Sequence, residues 1–191
     1  NHSLPLFLVR GFFRTHHPTI IAVKRDRHLF FVPVPSPDNC YDGRSMRIRI
    51  LDMKSAPAEA RGTTVVIDVL RAFTTACYVY ANGATRIIPV AEIDLAYRLK
   101  QEHPDWILMG ERGGRQQPGF DYGNSPAQVE PVAFQGKTVV HTTSAGTQGL
   151  MGAVNADEAL TGSFVNAGAI VRYLKQRNPR EVSFYCTGTE D

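Results

Sequence analysis

The sequence predicts an α/β protein, with helices layered on both faces of a mainly parallel sheet (α/β/α). Three observations predict it. From Met46 onward, apolar β-branched runs alternate with segments of helical spacing, the pattern of βαβ units. The run Thr63-Thr64-Val65-Val66-Ile67 suits a strand covered on both faces, as parallel sheets are. Glycine-containing polar clusters follow several of the strands, and open α/β sheets gather their ligands beyond those carboxyl ends.

The elements follow in order. Residues 46–52 alternate as a strand does, and 63–69 form a buried parallel strand. Residues 71–81 read as a helix stopped by Asn82-Gly83, glycine being the common residue just past a helix end. Strands are expected over 86–90, 106–109, 137–142, 159–162 and 181–186. Helices are expected over 93–101, with Pro104 beyond the end, and over 146–154 and 166–176. A helix covering the last strand would come next, so the C-terminal part is expected to be missing. Residues 1–45 are rich in Pro, His and Arg without periodicity. They are expected to form a poorly structured leader outside the fold, with Met46 as the native start and 46–191 as the α/β domain.

At 191 residues and 43% hydrophobic content the chain can bury a full core. The net charge of +3 lies in the leader, with six Lys/Arg against three acids, and the remainder holds fifteen of each. A neutral body argues against a nucleic-acid surface. No apolar run approaches the roughly 20 residues that span a membrane. Cys40, Cys77 and Cys186 are odd in number and widely spaced, which gives neither a disulfide framework nor a zinc pattern. The expected setting is cytoplasmic.

Four clusters carry the candidate chemistry. Asp68 interrupts an apolar strand, a costly place for a carboxylate unless it is paired or metal-bound, and Arg71, Thr74 and Thr75 follow at a helix start suited to an anion. The strand 106–109 runs into Glu111, Arg112 and Arg115 among glycines, with Asp121 and Asn124 farther along the same loop. Arginine there suits a bidentate grip on phosphate or carboxylate. Thr142, Thr143, Ser144, Gly146 and Thr147 lie between a strand and a helix, as in a phosphate cradle, although Ser and Thr also make ordinary caps. Ser163 and Asn166 form a fourth polar turn. His141 reads as a satisfied strand residue before an acid or base, and Cys186 as a small apolar residue before a nucleophile. The acids Asp68, Glu111 and Asp121 could together hold Mg²⁺, which takes one or two carboxylates plus water and substrate phosphate. Such equipment serves phosphoryl transfer or hydrolysis.

The segments Val65–Ala72 with Thr74-Thr75, Ala81-Asn82-Gly83-Ala84, Gly110-Glu111-Arg112-Gly113-Gly114, Gly119-Phe120-Asp121 and Gly123-Asn124-Ser125-Pro126 together resemble the 2-phosphosulfolactate phosphatase family. Thr142-Thr143, Gly146-Thr147, Gly162-Ser163-Phe164, Asn166-Ala167 and Gly188-Thr189 continue the resemblance in order. It covers the chain from about Met46 and leaves 1–45 outside. The resemblance implies a Mg²⁺-dependent hydrolase that converts 2-phospho-3-sulfolactate to 3-sulfolactate and phosphate, a step of coenzyme M biosynthesis in methanogens. It implies a longer C-terminus and a small anionic substrate that would suit Arg71, Arg112 and Arg115; Asp68 and Glu111, as acids at the carboxyl ends of apolar strands, are the expected metal ligands. A homodimer stands among the expected assemblies. Phe73 replaces an expected small hydroxyl residue, and Ala145 an expected Asn. Two other readings compete. An isochorismatase-like cysteine hydrolase would use Asp68 and Cys186, but the chain shows no evident catalytic lysine between them. A non-catalytic phosphometabolite-binding module would not need the acids.

Overall fold

The computed structural model describes residues 20–25, 28–33, 45–52 and 54–188. Their strands form two sheets. The larger has six strands in the order β2-β1-β8-β4-β9-β3, and the smaller has three in the order β5-β7-β6. The strands are β1 (Ile20–Arg25), β2 (His28–Pro33), β3 (Arg47–Leu51), β4 (Thr63–Ile67), β5 (Arg86–Pro89), β6 (Ile107–Gly110), β7 (Thr138–Thr142), β8 (Glu158–Gly162) and β9 (Glu181–Cys186). The helices are α1 (Ala72–Ala81), α2 (Ile93–Glu102), α3 (Pro126–Val129), α4 (Gly146–Gly152) and α5 (Ala167–Arg177). Pairing is parallel throughout β3–β9, as the βαβ rhythm requires. The hairpin β1–β2 is antiparallel and joins the edge of β8. It is a regular element within 1–45 that the unpatterned sequence there did not indicate.

Consecutive strand residues face opposite sides, and each side has its own core. On β4, Val66 enters a cluster between the two sheets with Ala72, Phe73, Ala76 and Val79 of α1 and Leu150 of α4. Its neighbour Val65 packs on the other face under Ala169, Ile170, Tyr173 and Leu174 of α5. On β7, Val139 belongs to the inter-sheet cluster, while Val140 packs with Leu108, Phe120 and Ala96 of α2. The layers therefore run α5, large sheet, α1 with α4, small sheet, α2. Helix α1 is sandwiched between sheets and buries Ala72, Phe73, Thr75, Ala76 and Val79. Phe73, one of the two departures from the pattern that the resemblance implies, is 2% exposed. It fills the inter-sheet core and does not face an anion loop.

The layering directs the carboxyl ends of β4, β6, β7 and β9 at one space. Two glycines permit the close approach. Gly110 ends β6 at φ 139, and a Cβ there would collide with the Thr142 carbonyl. A Cβ on Gly146 at the start of α4 would lie 2.6 Å from Asp68 Oδ2 and 3.0 Å from Ala72 Cβ.

Candidate active site

A cavity of about 670 Å³ opens at these strand ends, within the range of small-molecule sites. Ile67, Asp68 and Arg71 come from the β4–α1 turn, Glu111 and Gly114 from the loop after β6, Ser144 and Ala145 from the β7–α4 turn, Cys186 and Thr187 from the end of β9, and Asn124 from the loop before α3.

Asp68 is buried at the end of β4, and its Oδ1 accepts a hydrogen bond from the Ala72 amide at 3.0 Å. Burial holds its carboxyl above the usual range. Amides of Ala72 and Gly146 pull it down, and the nearby Glu111 charge adds to the rise. Desolvation outweighs the two donors, which favours the protonated acid in the fold.

Glu111 is equally buried, at 7% exposed, but better furnished. Its Oε1 accepts from the Ser144 amide at 2.7 Å, and its Oε2 from the Gly114 amide at 2.7 Å and Ser144 Oγ at 3.0 Å. Hydrogen bonds to a charged group contribute roughly 1.5–3 kcal/mol each, so three together offset a burial cost of several kcal/mol. The Gly114 donor exists because Gly113 and Gly114 both take positive φ, 56° and 74°. Arg112 and Arg115 pair across them, in the manner of a two-residue hairpin with both central residues left-handed. Ser144 Oγ also accepts from the Gly113 amide at 2.9 Å, which locks the turn to the start of α4.

The expected site residues divide sharply. Asp68, Arg71, Glu111, Asn124 and Ser144 line the cavity. Arg71 is exposed and is the cation among the lining residues. Asn124 is 7% exposed, and its Oδ1 finds no partner among the described residues. Arg112, Arg115 and Asp121 do not line the cavity. The Arg112 guanidinium is taken up by Glu111 O, Ala91 O and Thr142 Oγ1, and Arg115 stands exposed in the hairpin. Asp121 pairs with Lys100 at 3.2 Å and accepts the Leu108 amide at 2.8 Å, so it closes the loop onto β6. The hydroxyls of Thr74 and Thr75 donate back to Val69 O and Arg71 O. Thr143 and Thr147 bond each other and each other's amides, and Thr142 serves Arg112. Asn166 caps its own turn through the Ser163 amide and Thr161 O. These groups shape the strand ends from outside the cavity.

His141 on β7 is 2% exposed, with Nε2 unpartnered among the described residues. Burial pushes its imidazole down to about 4 against the upward pull of Glu111. Cys186 lines the cavity as a free thiol. Among the described residues no three His, Cys, Asp or Glu side chains gather as a metal cluster, and no helix is long and apolar enough to cross a membrane.

The sequence matches the family model for 2-phosphosulpholactate phosphatase over residues 51–191. A probable 2-phosphosulfolactate phosphatase of Thermotoga petrophila is 40% identical over 134 residues, covering 70% of this chain and 56% of that protein. The Caldicellulosiruptor saccharolyticus protein of the same description is 43% identical over 131 residues, 66% of this chain and 54% of that one. The one of Bacillus subtilis is 36% identical over 121 residues, 63% and 52% of the two chains. The chain thus spans about half the length of the curated relatives it matches. With the match over 51–191 running through β4, the Glu111 turn and the start of α4, the chain belongs to the 2-phosphosulfolactate phosphatase family.

Proposed function

We propose that this chain carries the catalytic cavity of a Mg²⁺-dependent phosphatase that hydrolyses 2-phosphosulfolactate, or a similar small phosphorylated acid, to 3-sulfolactate and phosphate. The observation that carries the reading is the placement of two buried carboxylates, Asp68 and Glu111, in one cavity with Arg71.

The donor set fits the cation. Mg²⁺ takes one or two carboxylates and completes its shell with water and substrate phosphate, so a site lacking a third acidic ligand suits it. The Glu111 charge adds to the cost of ionising Asp68, and a divalent cation held by these carboxylates would remove that cost. Bound there, Mg²⁺ would neutralise charge developing on the transferred phosphoryl group. Arg71 would bind a phosphate oxygen or the remaining anionic groups in bidentate fashion. Asn124 and Ser144 offer further polar contacts from the cavity wall, and the Gly113-Gly114 hairpin brings backbone close to the ligand. The widely spaced cysteines, with Cys77 and Cys186 both free thiols, suit a cytoplasmic enzyme. In an organism that makes coenzyme M, its product would feed that synthesis.

Asp68→Asn and Glu111→Gln test the roles. Each should abolish Mg²⁺-dependent phosphate release while leaving the far-UV circular dichroism unchanged. An Asp68→Asn protein with normal turnover and normal Mg²⁺ dependence would remove Asp68 from the metal site.

A further inference from the structure

We propose that Arg112 is a positioning residue, which fixes Glu111 against the β7–α4 turn and does not hold the substrate anion. The inference rests on the reading of the Asp68–Glu111 cavity as the reaction site.

The guanidinium is already occupied. Nη1 donates to Glu111 O at 2.8 Å, and Nη2 donates to Ala91 O and Thr142 Oγ1, both at 2.7 Å. These acceptors belong to three segments: the loop after β6, the turn between β5 and α2, and the end of β7. Gln148 of α4 reaches the same Ala91 carbonyl at 2.7 Å, so that carbonyl joins Arg112 to the helix following Ser144. The Glu111 carboxylate takes its donors from Ser144 and Gly114. Arg112 therefore holds the main chain of Glu111 on one side and the strand leading to Ser144 on the other. Its side chain is not part of the cavity lining. Arg71 contrasts with it. Arg71 lines the cavity, is exposed, and its guanidinium makes no hydrogen bond or ion pair among the described residues.

The two arginines should then separate kinetically. Lysine keeps the charge but offers a single ammonium where a planar fork spans three acceptors. In Arg112→Lys the carboxylate loses its register while the anion-binding group stays. We expect kcat on 2-phosphosulfolactate to fall about tenfold or more, with KM within about twofold. The dissociation constant of inorganic phosphate, measured by titration calorimetry, should also hold within about twofold. Arg71→Lys should do the reverse, raising KM and the phosphate dissociation constant by about tenfold. A second variant guards against misfolding of the first. Thr142→Val removes one acceptor of Arg112 without touching the guanidinium, and should lower kcat in the same direction by a smaller factor, again at constant KM. If Arg112→Lys raises KM and weakens phosphate binding as Arg71→Lys does, Arg112 contacts the ligand and the proposal is overturned. An unchanged kcat in Arg112→Lys and Thr142→Val would overturn it as well, while leaving the phosphatase reading intact. An unmodified chain that neither releases nor binds phosphate would remove both.

Discussion

Burial sets the chemistry of His141 more than its neighbours do. The imidazole sits down at about 4 against an ordinary 6.5, chiefly through desolvation. A folded value below the unfolded one means that the fold binds fewer protons there. The contribution is fully present above about pH 6.5 and is lost as pH falls through about 4, at a cost of about 3 kcal/mol. Asp68 works in the opposite sense. Its raised carboxyl stabilises most at low pH and loses that contribution as pH rises through its folded value. An NMR titration of the His141 ring should show a midpoint near 4, and a midpoint near 6.5 would place the ring in contact with solvent. At this scale the sequence reveals residue type and order, not direction. Asp68, Glu111 and Arg71 could be singled out because charge at the end of an apolar strand is unusual. Arg112 carries the same charge two residues into a glycine turn, yet it faces backbone carbonyls, and nothing in the sequence marks that orientation. His141 looks like any strand histidine until its burial is known.

The elements themselves were legible because their cause is local. The run Thr63–Ile67 has residues for both faces of a sheet, and Asn82-Gly83 stops α1. Helix α3 escaped the sequence reading because it is four residues long, too short for any period to register. The division into two sheets escaped it too, since an apolar strand does not declare which neighbour it pairs with. The contact that matters most between elements is also a nonlocal one. Gly146 starts α4 against Asp68, and a methyl group would stand 2.6 Å from the carboxylate oxygen. Gly146→Ala should therefore push α4 and the Ser144 donors away from the cavity. We expect a loss of about 1–3 kcal/mol in urea unfolding, the usual cost of overpacking, together with reduced phosphate release. A variant as stable and active as the parent would show that this approach is not tight.

At the scale of the molecule, two sheets with α1 and α4 between them aim four strand ends at one cavity, and each sheet supplies one of the two buried acids that line it. Asp68 follows β4 of the large sheet, and Glu111 follows β6 of the small one. The acids are 43 residues apart in sequence, so their meeting could be anticipated only from the rule that α/β ligands gather at carboxyl ends. The hairpin of β1 and β2 lies on the edge of the large sheet, beyond β8. The proposal that this meeting point is a Mg²⁺-dependent phosphatase site turns on phosphate release from 2-phosphosulfolactate in Mg²⁺, in EDTA and after excess Mg²⁺ is restored. Release should occur in Mg²⁺, vanish in EDTA and return with the metal; release that persists undiminished in EDTA, or no release under any of the three conditions, would overturn the proposal.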